Sequence, residues 1–315
     1  MNIPHIIDAH SHLWWLQDTS WNGQRIRTLS GNGSRSEFLG EERQMLPPFM
    51  IDGHNTAEVF LSNMDYAQVG AAVVVQEFID GLQNDYLLEV QRRFPARFFC
   101  YGMANYLQDG FYDQALRLLA EDGFPGLAIP AHRLLGRSLA SAEMMKTFRF
   151  MEAAGKYLSI TLADGARQVA ELREVIQECP GLRIAIGHFG MAEPPAGPPW
   201  HNEDWRQQIM LARHSNVMIE SGGITWLYNS EFYPFPSAVR AIREAASLVG
   251  WEKLMWGSDY PRTITAITYR MSYDFLLRSR ELRADDLSLF LGSNALRFYG
   301  FGELPELPYI KNMSE

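Results

Sequence analysis

Residues 6–15 read IIDAHSHLWW. An apolar run leads into Asp8, and then two histidines, His10 and His12, flank a single serine. A short apolar run of this kind suits a buried strand. Side chains two apart on a strand project the same way, so His10 and His12 are expected to face one space. Imidazole nitrogens suit zinc and similar divalent ions. Whether the pair is a site or two unrelated surface histidines depends on what the rest of the chain brings to the same place.

Seven further β-rich runs follow, over 71–76, 97–102, 126–129, 157–162, 183–186, 216–220 and 253–256, with the first at 5–8. Most are continuously apolar, as parallel strands covered on both faces should be. Helical patterns fall between them, over 56–68, 84–93, 113–121, 142–153, 168–178, 236–249 and 285–291, with Thr56 a candidate N-cap. Gly or Pro usually follows each helix. Eight strands alternating with helices predict an α/β fold, a closed (β/α)8 TIM barrel in a single domain over 1–315. A doubly wound open sheet is the runner-up. No Gly-x-Gly-x-x-Gly follows the first strand, which counts against a dinucleotide fold.

One segment breaks the rhythm. Residues 16–55 are rich in Gly, Ser, Asn and Arg and carry no long helical pattern. A connection this long inside a barrel reads as a lid or binding loop inserted after the first strand. SGNGS at 30–34 lacks the following helix and the Lys of a phosphate cradle. MAEPPAGPPWHNEDW at 191–205 reads as a Pro-rich rim loop, and 301–315 as a C-terminal tail.

Composition narrows the function. The chain has 315 residues, 47% of them hydrophobic, enough for a large core. A formal net charge of -9 argues against nonspecific nucleic-acid binding, which rests on Lys and Arg neutralising phosphates. A small anionic or sugar-like substrate is still compatible, because a pocket can be locally positive. Two cysteines far apart, Cys100 and Cys179, suit neither a disulfide framework nor a thiolate cluster. No stretch approaches a membrane span and no secretory signal pattern is visible, so the expected location is the cytoplasm. A homodimer is a fair expectation for a soluble enzyme.

Barrel enzymes keep their chemistry at the C-terminal ends of the strands. In order, those ends offer Asp8, His10 and His12; Gln76 and Glu77; His132 and Arg133; His188 in AIGHFG; Glu220; and Asp259 in MWGSDYP. There is no Gly-x-Ser-x-Gly nucleophile elbow.

DAHSH, GHFG and WGSDYP, in this order and spacing, resemble the amidohydrolase superfamily. The likeness is greatest to its amidohydrolase-2 type of metal-dependent hydrolases, the branch that includes sugar-lactone and pyrone-dicarboxylate lactonases. TAEVFLSNMDYAQVGAAVVVQ, NDYLLEVQRRFPARF and ECPGLRIAIGHFG resemble the stretches between the motifs, and the likeness covers roughly 3–300. It implies a hydrolase that opens a small lactone, with one divalent ion, zinc being the expected one. A metal-free route is the alternative. The implied ligands are His10, His12 and Asp259, with Glu77 or His188 as further candidates. The chain departs from the superfamily at two places. No Lys stands at the end of the fourth strand (LAIPAHR), and Thr161 stands near where related decarboxylases carry a histidine. Both departures argue against a dinuclear centre.

Roles follow from chemistry. Asp259 is the expected general base for water, returning the proton to the leaving oxygen. His188 is expected to orient the substrate carbonyl or stabilise its oxyanion. Trp15, His132, Arg133, Tyr260 and Arg262 are candidate substrate contacts near the strand ends, and an Arg fork suits a carboxylate. Two rival readings are a nonoxidative decarboxylase or hydratase of a small carboxylate on the same barrel, and a noncatalytic binding protein with a degenerate site.

Overall fold

The structure, a computed structural model, describes residues 5–163, 165–191 and 197–315. Positions 192–196 of the Pro-rich rim segment lie outside the described residues.

Twelve strands occur among the described residues: β1 (Ile7–Ser11), β2 (Asp18–Trp21), β3 (Gln24–Thr28), β4 (Arg35–Phe38), β5 (Glu41–Gln44), β6 (Ala71–Val74), β7 (Phe98–Cys100), β8 (Gly126–Pro130), β9 (Tyr157–Thr161), β10 (Arg183–Ile186), β11 (Val217–Glu220) and β12 (Leu254–Met255). Eight of them form the barrel. β1, β6 and β7 pair in parallel, and so do β8 to β12 in sequence. Two seams join these sheets. Gly102 bridges Leu127, so β7 meets β8, and Ser11 bridges Tyr260 beyond β12. At the second seam Ala9 N donates to Trp256 O at 2.8 Å, and Asp259 N donates to His10 O at 2.9 Å.

Alternation along each strand sorts the core into two layers. Ile7, Ala71, Val73, Tyr101, Ala128, Ala185, Met218 and Met255 fill the barrel axis. Their neighbours Ala72, Val74, Leu127, Ile129, Leu158, Ile160, Ile184, Ile186 and Ile219 pack outward against the helices. The helix Asn294–Tyr299 turns Ala295 and Tyr299 into the axial layer and plugs the N-terminal end. Helices begin where the sequence supplies caps. The Thr56 side chain accepts from Val59 N at the head of Ala57–Tyr66, and the Ser141 side chain accepts from Met144 N at the head of Ala142–Ala153.

The insertion after β1, read from sequence as a lid or binding loop, has regular structure of its own. It carries a four-stranded antiparallel sheet in the order β2-β3-β4-β5. Only Ile26 of β3 is buried, and all of β5 is exposed, so hydrophobic alternation was too weak to reveal these strands. Cross-strand charge pairs do part of the work instead. Arg27 lies directly opposite Glu37, with Nε 2.8 Å from the carboxylate. The charged outer strand Glu41–Gln44 discourages edge-to-edge pairing. Trp21 fastens this sheet to the barrel mouth: its Nε1 donates to Arg133 O at 2.9 Å, and the Arg133 guanidinium lies over its ring.

Candidate active site

The quoted stretch contains a β-bulge. Asp8 pairs with Ala72 and Ser11 with Val74, so β1 spends one residue more than β6 over the same span. The extra residue breaks the alternation. Asp8 points outward, where its carboxylate accepts from Ser258 N at 2.8 Å, Ser258 Oγ at 2.5 Å and Tyr269 OH at 2.7 Å. Ala9 remains in the axial layer, and beyond the bulge both His10 and His12 face the barrel mouth. Asp8 therefore does not share a face with the histidines, as plain alternation would have it. It latches the first strand to the turn that carries Asp259.

Glycines clear the space. A Cβ on Gly257 would meet the His10 Cβ at 2.6 Å, and one on Gly222 would meet His188 Nδ1 at 2.8 Å. His188 and Asp259 themselves adopt left-handed backbone, φ 53° and 58°. Non-glycine residues rarely do so, and such strain gathers at functional sites.

His10, His188 and Asp259 offer ligand atoms that all lie within 4.8 Å of one another. Two of them are hydrogen-bonded from behind, and the third has a carboxyl nearby. His188 Nδ1 meets Gly222 O at 2.5 Å, and Trp226 Nε1 donates to Asp259 Oδ2 at 2.6 Å. His10 Nδ1 lies 3.2 Å from Glu220 Oε1 in the barrel interior. His12 joins from the side: Nδ1 is 2.8 Å from Asp80 Oδ2, and Nε2 is 3.2 Å from Asp259 Oδ1.

Charge follows this layout. Burial, and then the neighbouring His12, push the His10 imidazole down to about 3. Burial and His10 lower His188 to about 4. Burial opposes charge on His12 too, but the Asp80 and Asp259 carboxylates outweigh it and raise that imidazole well above its usual value. Burial works against ionised Asp259, yet the hydrogen bond from His12 and the surrounding imidazoles hold it below the carboxylate range. Burial raises Glu220 to about 8.

The residues fit a divalent cation. Both ring nitrogens of His10 and both carboxylate oxygens of Glu220 are buried without a hydrogen-bond partner among the described residues. Neutral imidazoles and an ionised carboxylate are the donors such an ion takes, and partners behind the ligands fix their orientation. The amidohydrolase sequence profile matches residues 7–301, nearly the whole chain. The chain belongs to the amidohydrolase family.

Solved structures give the same amidohydrolase fold. A probable 2-pyrone-4,6-dicarboxylic acid hydrolase from Acinetobacter baumannii, with citric acid bound, is 19% identical; the match covers 94% of this chain and all of that one, with TM-score 0.69. An amidohydrolase from Burkholderia multivorans with bound zinc is 19% identical over 96% of this chain and all of that one, with TM-score 0.68. A 5-carboxyvanillate decarboxylase from Sphingomonas paucimobilis is 18% identical over 80% of this chain and 86% of that one, with TM-score 0.58. Among curated proteins, none matches the chain.

Of the residues read from the sequence, the amidohydrolase barrel brings His10, His12, His188 and Asp259 together. Glu77 is elsewhere: its carboxylate holds Arg133 Nε at 2.7 Å, with His132 Nε2 3.9 Å away. Arg133 is thus already paired. Tyr260 is fully buried and stacks on Phe60 with ring centroids 4.0 Å apart, so it belongs to the core rather than the rim. Trp15 is exposed and tilts onto His54, while Trp14 is buried with Leu46 and Met50. Arg262 is exposed and rests its guanidinium 3.7 Å from the centre of the Trp226 ring. Sequence reasoning did not single out Asp80 or Trp226. Glu220 was visible at a strand end but carried no assigned role.

Proposed function

We propose that this amidohydrolase hydrolyses a small lactone. The supporting observation is Asp259, an ionised carboxylate held by Trp226 on one oxygen and facing His10 and His12 with the other, with His188 in the same cluster. A divalent ion, zinc first among the candidates, would be held by His10, His188 and Asp259, with His12 beside them. When bound it would polarise the lactone carbonyl and ease the loss of a proton from water.

The chain's own residues do the rest. Asp259 Oδ1 takes the proton as the water oxygen bonds to the carbonyl carbon. The ring acyl–oxygen bond then breaks, and Asp259 returns that proton to the departing ring oxygen. The product is an open hydroxy acid, with atoms and charge balanced. Trp226 fixes the carboxylate for both transfers. His188, whose Nδ1–H donates to Gly222 O, keeps Nε2 unprotonated as the lone pair an ion would take, so it acts as a ligand and not as a donor to the substrate carbonyl. Arg262 is exposed, with no carboxylate in ion-pair distance among the described residues, and it is the cation available to an acidic substrate.

The test is elemental analysis of the purified protein, followed by a lactone panel read with a pH indicator, with and without added zinc or manganese. Acid release that Asp259→Asn abolishes supports the reading. Metal-loaded protein that opens no lactone but releases carbon dioxide from aromatic carboxylates overturns it in favour of a decarboxylase.

A further inference from the structure

The four-stranded insertion grips the loop that follows β6, and it does so on both sides of Asp80. Gln17, at the entry to the sheet, is buried. Its main-chain carbonyl accepts from Thr28 N at 2.9 Å, and its side-chain Oε1 accepts from Ser36 Oγ at 2.9 Å, which anchors it to β3 and β4. Its Nε2 donates to Ile79 O at 3.2 Å, the residue before Asp80. Beside it, Gln83 Nε2 donates to Leu16 O at 3.1 Å and to Asp80 O at 2.8 Å. On the other flank Glu77 holds Arg133, and Arg133 O accepts from the Trp21 indole of β2.

Asp80 depends on such a clamp because it stands on a loop, with no strand ladder to fix it. Its carboxylate is buried, and Oδ2 accepts from Glu77 N at 3.2 Å while facing His12 Nδ1 at 2.8 Å. His12 Nε2 lies in turn 3.2 Å from Asp259 Oδ1. A chain of polar contacts therefore runs from Ser36 through Gln17 to Ile79, and from its neighbour Asp80 through His12 to Asp259. Ile79 O can only accept, so the Gln17 amide nitrogen must face it and the amide oxygen must face the Ser36 hydroxyl. A displacement of about 1 Å at a reactive centre can cost about 100-fold in rate, so the register of this loop matters.

We infer that Gln17 is a positioning residue for the candidate active site: through Ile79 it sets the Asp80 loop, and so the ring of His12 and the carboxylate of Asp259. The inference rests on the candidate active site being the reactive centre. The insertion is then part of the machinery rather than a cover over it.

The probe is the His12 Nδ1 proton, its exchange with water followed by NMR in the metal-free protein, with Asp80→Asn identifying the signal. Gln17→Leu is expected to speed that exchange about tenfold, the scale of losing one buried hydrogen bond. Ser36→Ala leaves the bond from Gln17 to Ile79 in place and is expected to give a smaller rise in the same direction. Glu37→Gln breaks only the outer pair with Arg27 and is expected to leave the exchange unchanged, which separates positioning from general loosening of the sheet. Thermal melting verifies folding, and if Gln17→Leu does not fold, Ser36→Ala decides. A native protein whose His12 ring proton is unprotected, exchange unaltered in the folded variants, or an equal rise in Glu37→Gln overturns the positioning role. Zinc affinity by chelator competition is read separately: Gln17→Leu and Asp80→Asn are each expected to weaken it, with losses that do not add. Fully additive losses also overturn the role. Native protein that binds no zinc or opens no lactone overturns the metal or lactonase reading, while the exchange result still decides the role of Gln17.

Discussion

Asp8 receives three hydrogen bonds from Ser258 and Tyr269, two of them from Ser258 alone, across the seam between the first and eighth barrel strands. Asp8 is fully buried, and burial raises its carboxyl to about 7 against those bonds. In Asp8→Asn one acceptor oxygen becomes a donor facing donors. Leaving buried partners unsatisfied costs about 1–3 kcal/mol, so the urea midpoint is expected to fall accordingly. An unchanged midpoint would falsify the latch.

Asp80 grips His12 from the side away from Asp259. Removing the charge in Asp80→Asn is expected to weaken metal binding about 10–100-fold, because His12, no longer held by Asp80, stops fixing Asp259, the carboxylate ligand. A chelator competition with zinc measures this directly, and an unaltered circular dichroism spectrum separates it from unfolding. No change in affinity would show that His12 does not depend on Asp80.

Trp226→Phe keeps a ring beneath Arg262 and deletes only the N–H bonded to Asp259. Hydrogen bonds to charged groups contribute about 1.5–3 kcal/mol, or roughly 10–100-fold. The loss is expected in kcat, with KM nearly unchanged. A variant that loses only KM would assign Trp226 to substrate binding instead.

His132 gives a pH prediction outside the metal cluster. Burial, then Arg133 beside it, lower its imidazole to about 3. Its folded-state value lies below the unfolded one of about 6.5, so the unfolded chain takes up the proton first as pH falls. The stability tied to neutral His132 is full above about pH 6.5 and is lost progressively below it, at no more than about 1.4 kcal/mol per pH unit. His132→Phe is expected to flatten the wild-type fall in stability between pH 6.5 and 4, measured by urea titration at each pH. Parallel curves for the two proteins would reject the assignment.

The barrel was legible because each of its strands is an apolar run with few competing signals. His10, His12, His188 and Asp259 were legible because barrel strand ends tell a reader where to look. What stayed hidden obeys different physics. The bulge that turns Asp8 outward is a property of the pairing between β1 and β6, absent from either strand alone. Asp80 and Glu77 are both acids in one short loop, and only the fold decides that Glu77 meets Arg133 while Asp80 meets His12. Tyr260 adjoins Asp259 in sequence, yet the turn sends it to Phe60 in the core. The strands β2 to β5 bury too little to show an alternating pattern and depend on ladder bonds and charge pairs.

The seam between Asp8 and Ser258 spans 250 residues of chain. The donors on the first strand are synthesised early, but their carboxylate partner and the latch that aligns it come near the end. Contacts of such sequence separation form late, after most of the loop-closure entropy has been lost. An emerging chain therefore carries the two histidines as an unassembled half-site throughout its synthesis. A fragment that stops before Ser258 should be chemically silent however well its early strands have folded.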